Sequence, residues 1–312
     1  MRPHLSGLNI FRQGVGAMSS KMKKALTPYF FLAPHLIIFS VFFVMPLIIG
    51  FYVSFTKWNL YGAPNWVGFG NYNSILLNNE STFFRQFWNG LGNTFKFVLM
   101  IVPFQILIPL AIAIGLASKP FMGRLFQGIF YVPTLFSISS VILVWFFMLH
   151  PTFGLMNHIS GIYVNWFGKQ PFAWISVVVV TIWWIVGQNM VIYVAALSGI
   201  DKSILESAEI DGASGIKKVL YIYLPLIKFP LLFTIVAATT SQFNIYGQPL
   251  MLTQGGPTES TYVLIMYIRD LAFGSGKSIA GMASAMSTIL GLIIGVFAVF
   301  QMLLLLRQDT DN

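Results

Sequence analysis

Residues Leu205 to Pro230, LESAEIDGASGIKKVLYIYLPLIKFP, form a dense run of charge set between two apolar segments. Everything on either side of this run reads as membrane. Hydrophobic residues make up 56% of the 312-residue chain and charged residues only 9%, with a mean hydropathy of +0.77. That composition lies far outside the globular range, because a soluble domain of this size could not bury so much apolar surface. The remaining charges cluster, leaving six windows long enough to cross a hydrocarbon core of roughly 30 Å with about 20 helical residues. The expected spans are Tyr29 to Phe55, Thr94 to Leu116, Gly128 to Leu149, Phe172 to Leu197, Leu226 to Tyr246 and Ala280 to Leu305. Segments this long and uniformly apolar satisfy their backbone groups in lipid only as helices, so the fold class is an all-α bundle of six transmembrane helices. Pro151, Gly154, Asn157, His158 and Gly161 break the stretch after the third span, which reads as an exposed loop.

Six crossings place both termini on one side. With a cytoplasmic N-terminus, Lys and Arg divide twelve inside to six outside, the bias expected of the positive-inside rule. The net charge of +9 is then a topology signal, since the basic residues are scattered over loops and form no face suited to nucleic acid. The sequence divides into a basic cytoplasmic tail at residues 1–28, a six-helix membrane domain at 29–306 and a short cytoplasmic tail at 307–312. The first apolar run is too long and lacks the small-residue cleavage site of a secretory leader, so it reads as an anchor. Without cysteine there are no disulfides, thiolate nucleophiles or thiolate metal sites. The four histidines lack metal-ligand spacing.

Within the charged run, Ser203 to Glu206 matches the S-x-x-E capping box, which predicts a helix starting there. Glu206 and Glu209 suit its positive end, and Gly212 after Asp211 supplies left-handed dihedrals to stop it. A second helical piece from Ile216 runs to Leu224, where Pro225 and Pro230 constrain the way into the fifth span. The expected result is a helix-turn-helix elbow over residues 201–225, protruding from the membrane.

Glu206, Ser207, Ala208, Asp211, Gly212 and Ala213, followed by Ile222, Leu224, Pro225 and Pro230, resemble the EAA-x-x-DGA…I-x-LP…P signature of ATP-binding-cassette importer permeases. Ser207 stands where that family usually has Ala. The carbohydrate branch, maltose-type and glycerol-phosphate-type, is resembled further at Pro34, Pro46, SFTKWNL (Ser54 to Leu60), VGFGNY (Val67 to Tyr72), Asn93, Thr94 and LTQGGP (Leu252 to Pro257), with Tyr267, Arg269, Ala272 and Phe273 continuing the pattern. The resemblance covers nearly all of Tyr29 to Leu306 and implies the type I importer fold in a bacterial-type inner membrane. It implies partners as well: a second related permease, two cytoplasmic ATPase subunits and an external solute-binding protein. In that scheme the elbow sits in a groove on the ATPase. Glu206 makes the polar contact, Leu205 and Ala208 offer apolar surface, Gly212 permits the bend, and Asp211, Ala213 and Pro225 complete the motif. The chain has no G-x-x-x-x-G-K-[ST] loop, so it is expected to be non-catalytic and to hold no cofactor, leaving ATP and Mg to the partner ATPase.

Substrate contacts are expected on side chains facing the bundle interior. Thr181, Trp184 and Gln188 share one stripe of the fourth span, with Asn189 adjacent, and Gln242, Asn244 and Tyr246 lie near the end of the fifth. Amides bond sugar hydroxyls in both directions and aromatic faces pack on pyranose C–H groups; the same residues would also serve as interhelical glue. The resemblance points most clearly to Trp184, Gln188 and Gln242. Ser137, Ser139 and Ser140 are weaker candidates, and Gly281, Ala285, Thr288, Gly291 and Gly295 read as a packing face. The expected cargo is a sugar or oligosaccharide. Glycerol phosphate or another polyol is the alternative, against which stands the lack of an interior Arg or Lys cluster to receive a phosphate. Ion-coupled transport would need ionisable groups deep in a span, and no acidic residue lies in one. A membrane enzyme would need converging chemistry that His and the outer carboxylates Glu80, Glu259 and Asp270 do not display.

Overall fold

The computed structural model describes residues 28–118, 120–274 and 279–310. Residues 1–27 of the expected basic tail, together with Lys119, Lys277 and the last two residues, lie outside them. Four helices are long and apolar enough to cross a bilayer unbroken: Pro28–Ser54, Thr82–Ala117, Phe172–Ser198 and the one that begins at Ala280. Two more spans are bent pairs, Gly123–Leu135 with Ile138–Leu149 at 101°, and Ile216–Leu226 with Lys228–Phe243 at 77°. Counting each pair once gives six.

Proline explains much of the irregularity. Pro46 has no N–H for the carbonyl four residues back, and the helix widens into a π turn at Ser40–Val44 directly before it. The same pairing recurs in the fifth span, where the π turn Val219–Tyr223 precedes Pro225. Pro103 and Pro109 both lie inside the second span. Pro230 falls in the first turn of Lys228–Phe243, where a missing N–H costs nothing.

Several boundaries differ from expectation. The second span begins at Thr82, capped by Ser81, twelve residues before Thr94, because its first turns are helical although too polar for lipid. The third span's break falls at Phe136 and Ser137, both extended, with the Ser137 hydroxyl accepting from the Ser140 amide at 3.3 Å. The loop after it contains a short helix, Leu155–Ser160. The last helix continues to Thr310, through residues expected as a tail. A Cβ at Gly291 or Gly295 would meet nothing, so close approach requires glycine only nearer the start of the small-residue face, where Gly281 and Ala285 are buried. A Cβ at Gly281 would collide with the Thr56 carbonyl.

That carbonyl belongs to a two-stranded hairpin pairing Thr56–Lys57 with Asn65–Trp66. With the helix Gly70–Leu76 it caps one end of the bundle, and buried Asn71 donates to the carbonyls of Ser54 at 2.8 Å and Thr56 at 2.9 Å. The loop between the fifth and last spans is ordered too, by a π turn at Pro249–Thr253 and the helix Leu264–Phe273. The main apolar core lies beneath these caps, where Phe97, Ile101, Val141, Trp174, Val177 and Leu252 pack together. A separate cluster around Leu110, Met190, Tyr193 and Ile227 fills the end nearer the elbow.

Candidate functional site

The third span's break, the fourth span and the end of the fifth enclose a cleft of about 500 Å³. Its walls are brought close by two glycines. A Cβ at Gly187 would lie 2.6 Å from the Phe130 carbonyl oxygen and from the Tyr131 Cα, and one at Gly247 2.6 Å from Ile138. The indole N–H of Trp184 donates to the carbonyl of Phe136 at 3.1 Å, closing a backbone group that the break leaves open.

Five of the seven expected substrate residues line this cleft: Thr181, Trp184, Gln242, Asn244 and Tyr246. Ser139, Ser241 and Gln248 also line it and none of the lining side chains is ionisable at neutral pH. Gln188 and Asn189 stand outside it. Gln188 is exposed one turn further along the stripe. Asn189 is buried and donates to the backbone carbonyl of Gln105 at 3.0 Å, which makes it an interhelical tie. The reason is Pro109, which has no N–H to offer Gln105 four residues earlier.

Gln105 itself was not among the expected residues. It is 7% exposed, and its Oε1 accepts from Nε2 of Gln242 at 2.9 Å. Its signal in the sequence is being the single amide in the apolar run 97–117, four residues before a proline. Spans two, four and five therefore meet at one buried amide.

The elbow forms between spans four and five, with a different start. Its helix is Lys202–Ile210, and Asp201 caps it by accepting from the Ser203 amide at 2.9 Å. Asp201 is extended, as an N-cap must be, whereas Ser203 is already helical and the Ser203–Glu206 box does not form. Hydrogen bonding from Ser203 holds the Asp201 carboxyl below its ordinary value of 3.8. The end follows the expectation: Gly212 has φ +77°, its amide bonds the Glu209 carbonyl at 3.1 Å, and the Ala213 amide bonds the Ala208 carbonyl at 2.8 Å. This is a Schellman motif. Glu209 pairs with Lys218 at 2.7 Å, joining the two arms.

Glu206, Asp211, Gly212 and Pro225 are exposed, and Leu205 and Ala213 are half-buried. Ala208 is buried at 7% exposure, so it packs inward and offers no apolar surface. The outward apolar side chains are Ile210, 88% exposed, and Ile216, 75% exposed.

In the cap built by the loop between the fifth and last spans, Asn93 donates to the carbonyls of Glu259 at 2.9 Å and Tyr262 at 3.0 Å. Tyr262 donates to Asp270, and Tyr267 to Glu259 at 3.1 Å. Burial first, and the Glu259 contact after it, push the Tyr267 phenol up to about 12. These carboxylates accept from tyrosines that pin the cap, and Glu80 stands apart from them.

Residues 70–309 match the family described as the binding-protein-dependent transport system inner membrane component. Among curated relatives, the probable starch degradation products transport system permease protein AmyD of Thermoanaerobacterium thermosulfurigenes is 27% identical, covering 93% of this chain and 97% of its own. The arabinooligosaccharides transport system permease protein AraP of Bacillus subtilis is 29% identical over 89% of this chain and 88% of its own. The lactose transport system permease protein LacF of Rhizobium radiobacter is 28% identical over 91% and 97%. The fold is shared with a crystal structure of a bacterial ABC transporter that imports the acidic polysaccharide alginate, at TM-score 0.78, 22% identity and coverage of 93% and 99%. The match to the family profile spans well over half of the sequence and includes the cleft and the elbow, so the chain belongs to the binding-protein-dependent transport system inner membrane components and is a multi-pass membrane transport permease.

Proposed function

We propose that this chain is the permease subunit of an ATP-driven importer for an uncharged sugar or oligosaccharide, which passes through the cleft between the fourth and fifth spans. The observation behind this reading is that an uncharged, amide- and aromatic-lined cleft and a Schellman-stopped elbow sit on the same two spans. Trp184 and Tyr246 supply ring faces, and Thr181, Gln242 and Asn244 supply polar atoms. Gln188 serves further along the path and Asn189 serves by holding Gln105. Without Lys, Arg or His among the lining residues, a glycerol-phosphate cargo would have no charge partner in this cleft.

The elbow faces the cytoplasm in this reading and docks on an ATPase subunit. Exposed Glu206 makes the polar contact, with Asp211, Gly212, Ala213 and Pro225 setting the shape, while Ile210 and Ile216 supply the apolar surface that Leu205 supplies only in part and Ala208 does not. A second permease, two ATPase copies and an external binding protein complete the assembly, and ATP with Mg is held by the ATPase. The test is co-purification with uptake. Tagged chain should bring down a nucleotide-binding subunit, and uptake of labelled neutral saccharides should stop in Glu206→Ala/Gly212→Val cells yet persist with an ionophore. Uptake that collapses with the ionophore and needs no ATPase would sink the proposal.

A further inference from the structure

Four donors around the cleft are turned away from it. The Thr181 hydroxyl bonds the Val177 carbonyl at 2.6 Å, the Trp184 indole bonds that of Phe136 at 3.1 Å, and the Asn244 amide bonds that of Thr240 at 2.9 Å. The fourth, Nε2 of Gln242, goes to Oε1 of Gln105 at 2.9 Å. Three of these acceptors are backbone carbonyls, which no substitution removes. Gln105 is the exception, a side chain that does not line the cleft, on a residue whose backbone carbonyl accepts from Asn189 at 3.0 Å. An amide with its NH₂ held on one side presents its carbonyl oxygen on the other, and no donor reaches Oε1 of Gln242 among the described residues.

We infer that Gln105 is a positioning residue for the substrate: by accepting from Gln242 it aims the Gln242 carbonyl into the cleft, where that oxygen accepts a hydrogen bond from a ligand hydroxyl. The inference rests on the cleft being the sugar path. Its consequence is one acceptor of fixed aim in the cleft, the Gln242 carbonyl oxygen, which a ligand hydroxyl meets as a donor.

The experiment measures uptake by the complete transporter, normalised to its level in the membrane, with a panel of labelled neutral mono-, di- and trisaccharides. If the unaltered transporter moves none of them, the sugar reading itself falls and this inference with it. For a sugar that is moved, Gln105→Leu should raise KM by about tenfold, the worth of one lost hydrogen bond to a released amide, with Vmax within about twofold of the original on the same reasoning. Gln105→Glu keeps an acceptor oxygen in place and should recover most of that loss. In a Gln242→Leu background, Gln105→Leu should add nothing, because Gln105 acts only through Gln242. Deoxyfluoro analogues, which accept but cannot donate, should lose uptake at one ring position in the original transporter and not in Gln242→Leu. An unchanged KM, a loss confined to Vmax, or a full additional loss on top of Gln242→Leu would overturn the assignment.

Discussion

Gln105 ties three helices through two groups, its side chain holding Gln242 at 2.9 Å and its backbone carbonyl held by Asn189. Pro109 leaves the Gln105 carbonyl without its helical donor, and Asn189 replaces it at 3.0 Å. Asn189→Ala should therefore orphan a buried carbonyl and cost about 1 kcal/mol, the scale of interhelical hydrogen bonds in membranes. Pro109→Ala restores an N–H at the right place, so in that background Asn189→Ala should cost little. Thermal unfolding followed by intrinsic fluorescence in detergent reads both, and an equal loss in the two backgrounds would refute the account. Five of the cleft residues were legible in the sequence because a polar side chain within an apolar span needs a reason to be there. Gln188 and Asn189 looked the same as those five, since helical spacing gives a stripe without saying how far along it the cleft extends. Gln105 escaped because its role depends on the N–H that Pro109 lacks and on partners 84 and 137 residues away.

At the level of elements, hydropathy located all six spans because lipid demands apolar length. It misplaced the second span's start by twelve residues, since hydropathy reports apolar length and the first turns from Thr82 are helical but polar. Pro225 and Pro230 signalled the bend at Ile227 in the sequence, whereas the break at Phe136 and Ser137 was hidden inside an apolar run. The elbow's start is a subtler case. Asp201 and Ser203 are both good caps, and the chain uses the one that leaves Lys202 as its first helical residue. Asp201→Ala should accelerate hydrogen exchange at the amides of the first helical turn, whereas Ser203→Ala should leave them nearly unchanged; the reverse order would reinstate the capping box. The sign with pH follows from the lowered carboxyl. Its contribution is complete above the ordinary value of 3.8 and fades as pH falls through the lower folded value, so the protective effect should vanish in acid and be full at neutrality.

Across the whole molecule, the fourth and fifth spans form a ladder from elbow to cleft. Above the elbow at residues 201–225, the Tyr193 hydroxyl meets that of Thr234 in the buried interior, and Thr234 is in turn held by the Leu231 carbonyl at 2.7 Å. Beyond them lie the Asn189, Gln105 and Gln242 amides, and beyond those the cleft itself. An element that displaces the elbow must move these two spans together if it is to reshape the cleft, and the Tyr193–Thr234 bond is the rung nearest the input. Tyr193→Phe keeps the ring in its apolar cluster and deletes only the hydroxyl, so folding and the substrate KM should hold. What should change is the number of ATP molecules hydrolysed per sugar moved by the reconstituted importer, rising roughly two- to tenfold for the loss of one buried hydrogen bond. Thr234→Val should give the same change and the double variant no more, because the two hydroxyls act as one contact. A ratio that stays constant in all three would mean that the elbow's displacement reaches the cleft by another route, such as the Gln301 to Thr239 bond from the last span at 3.1 Å.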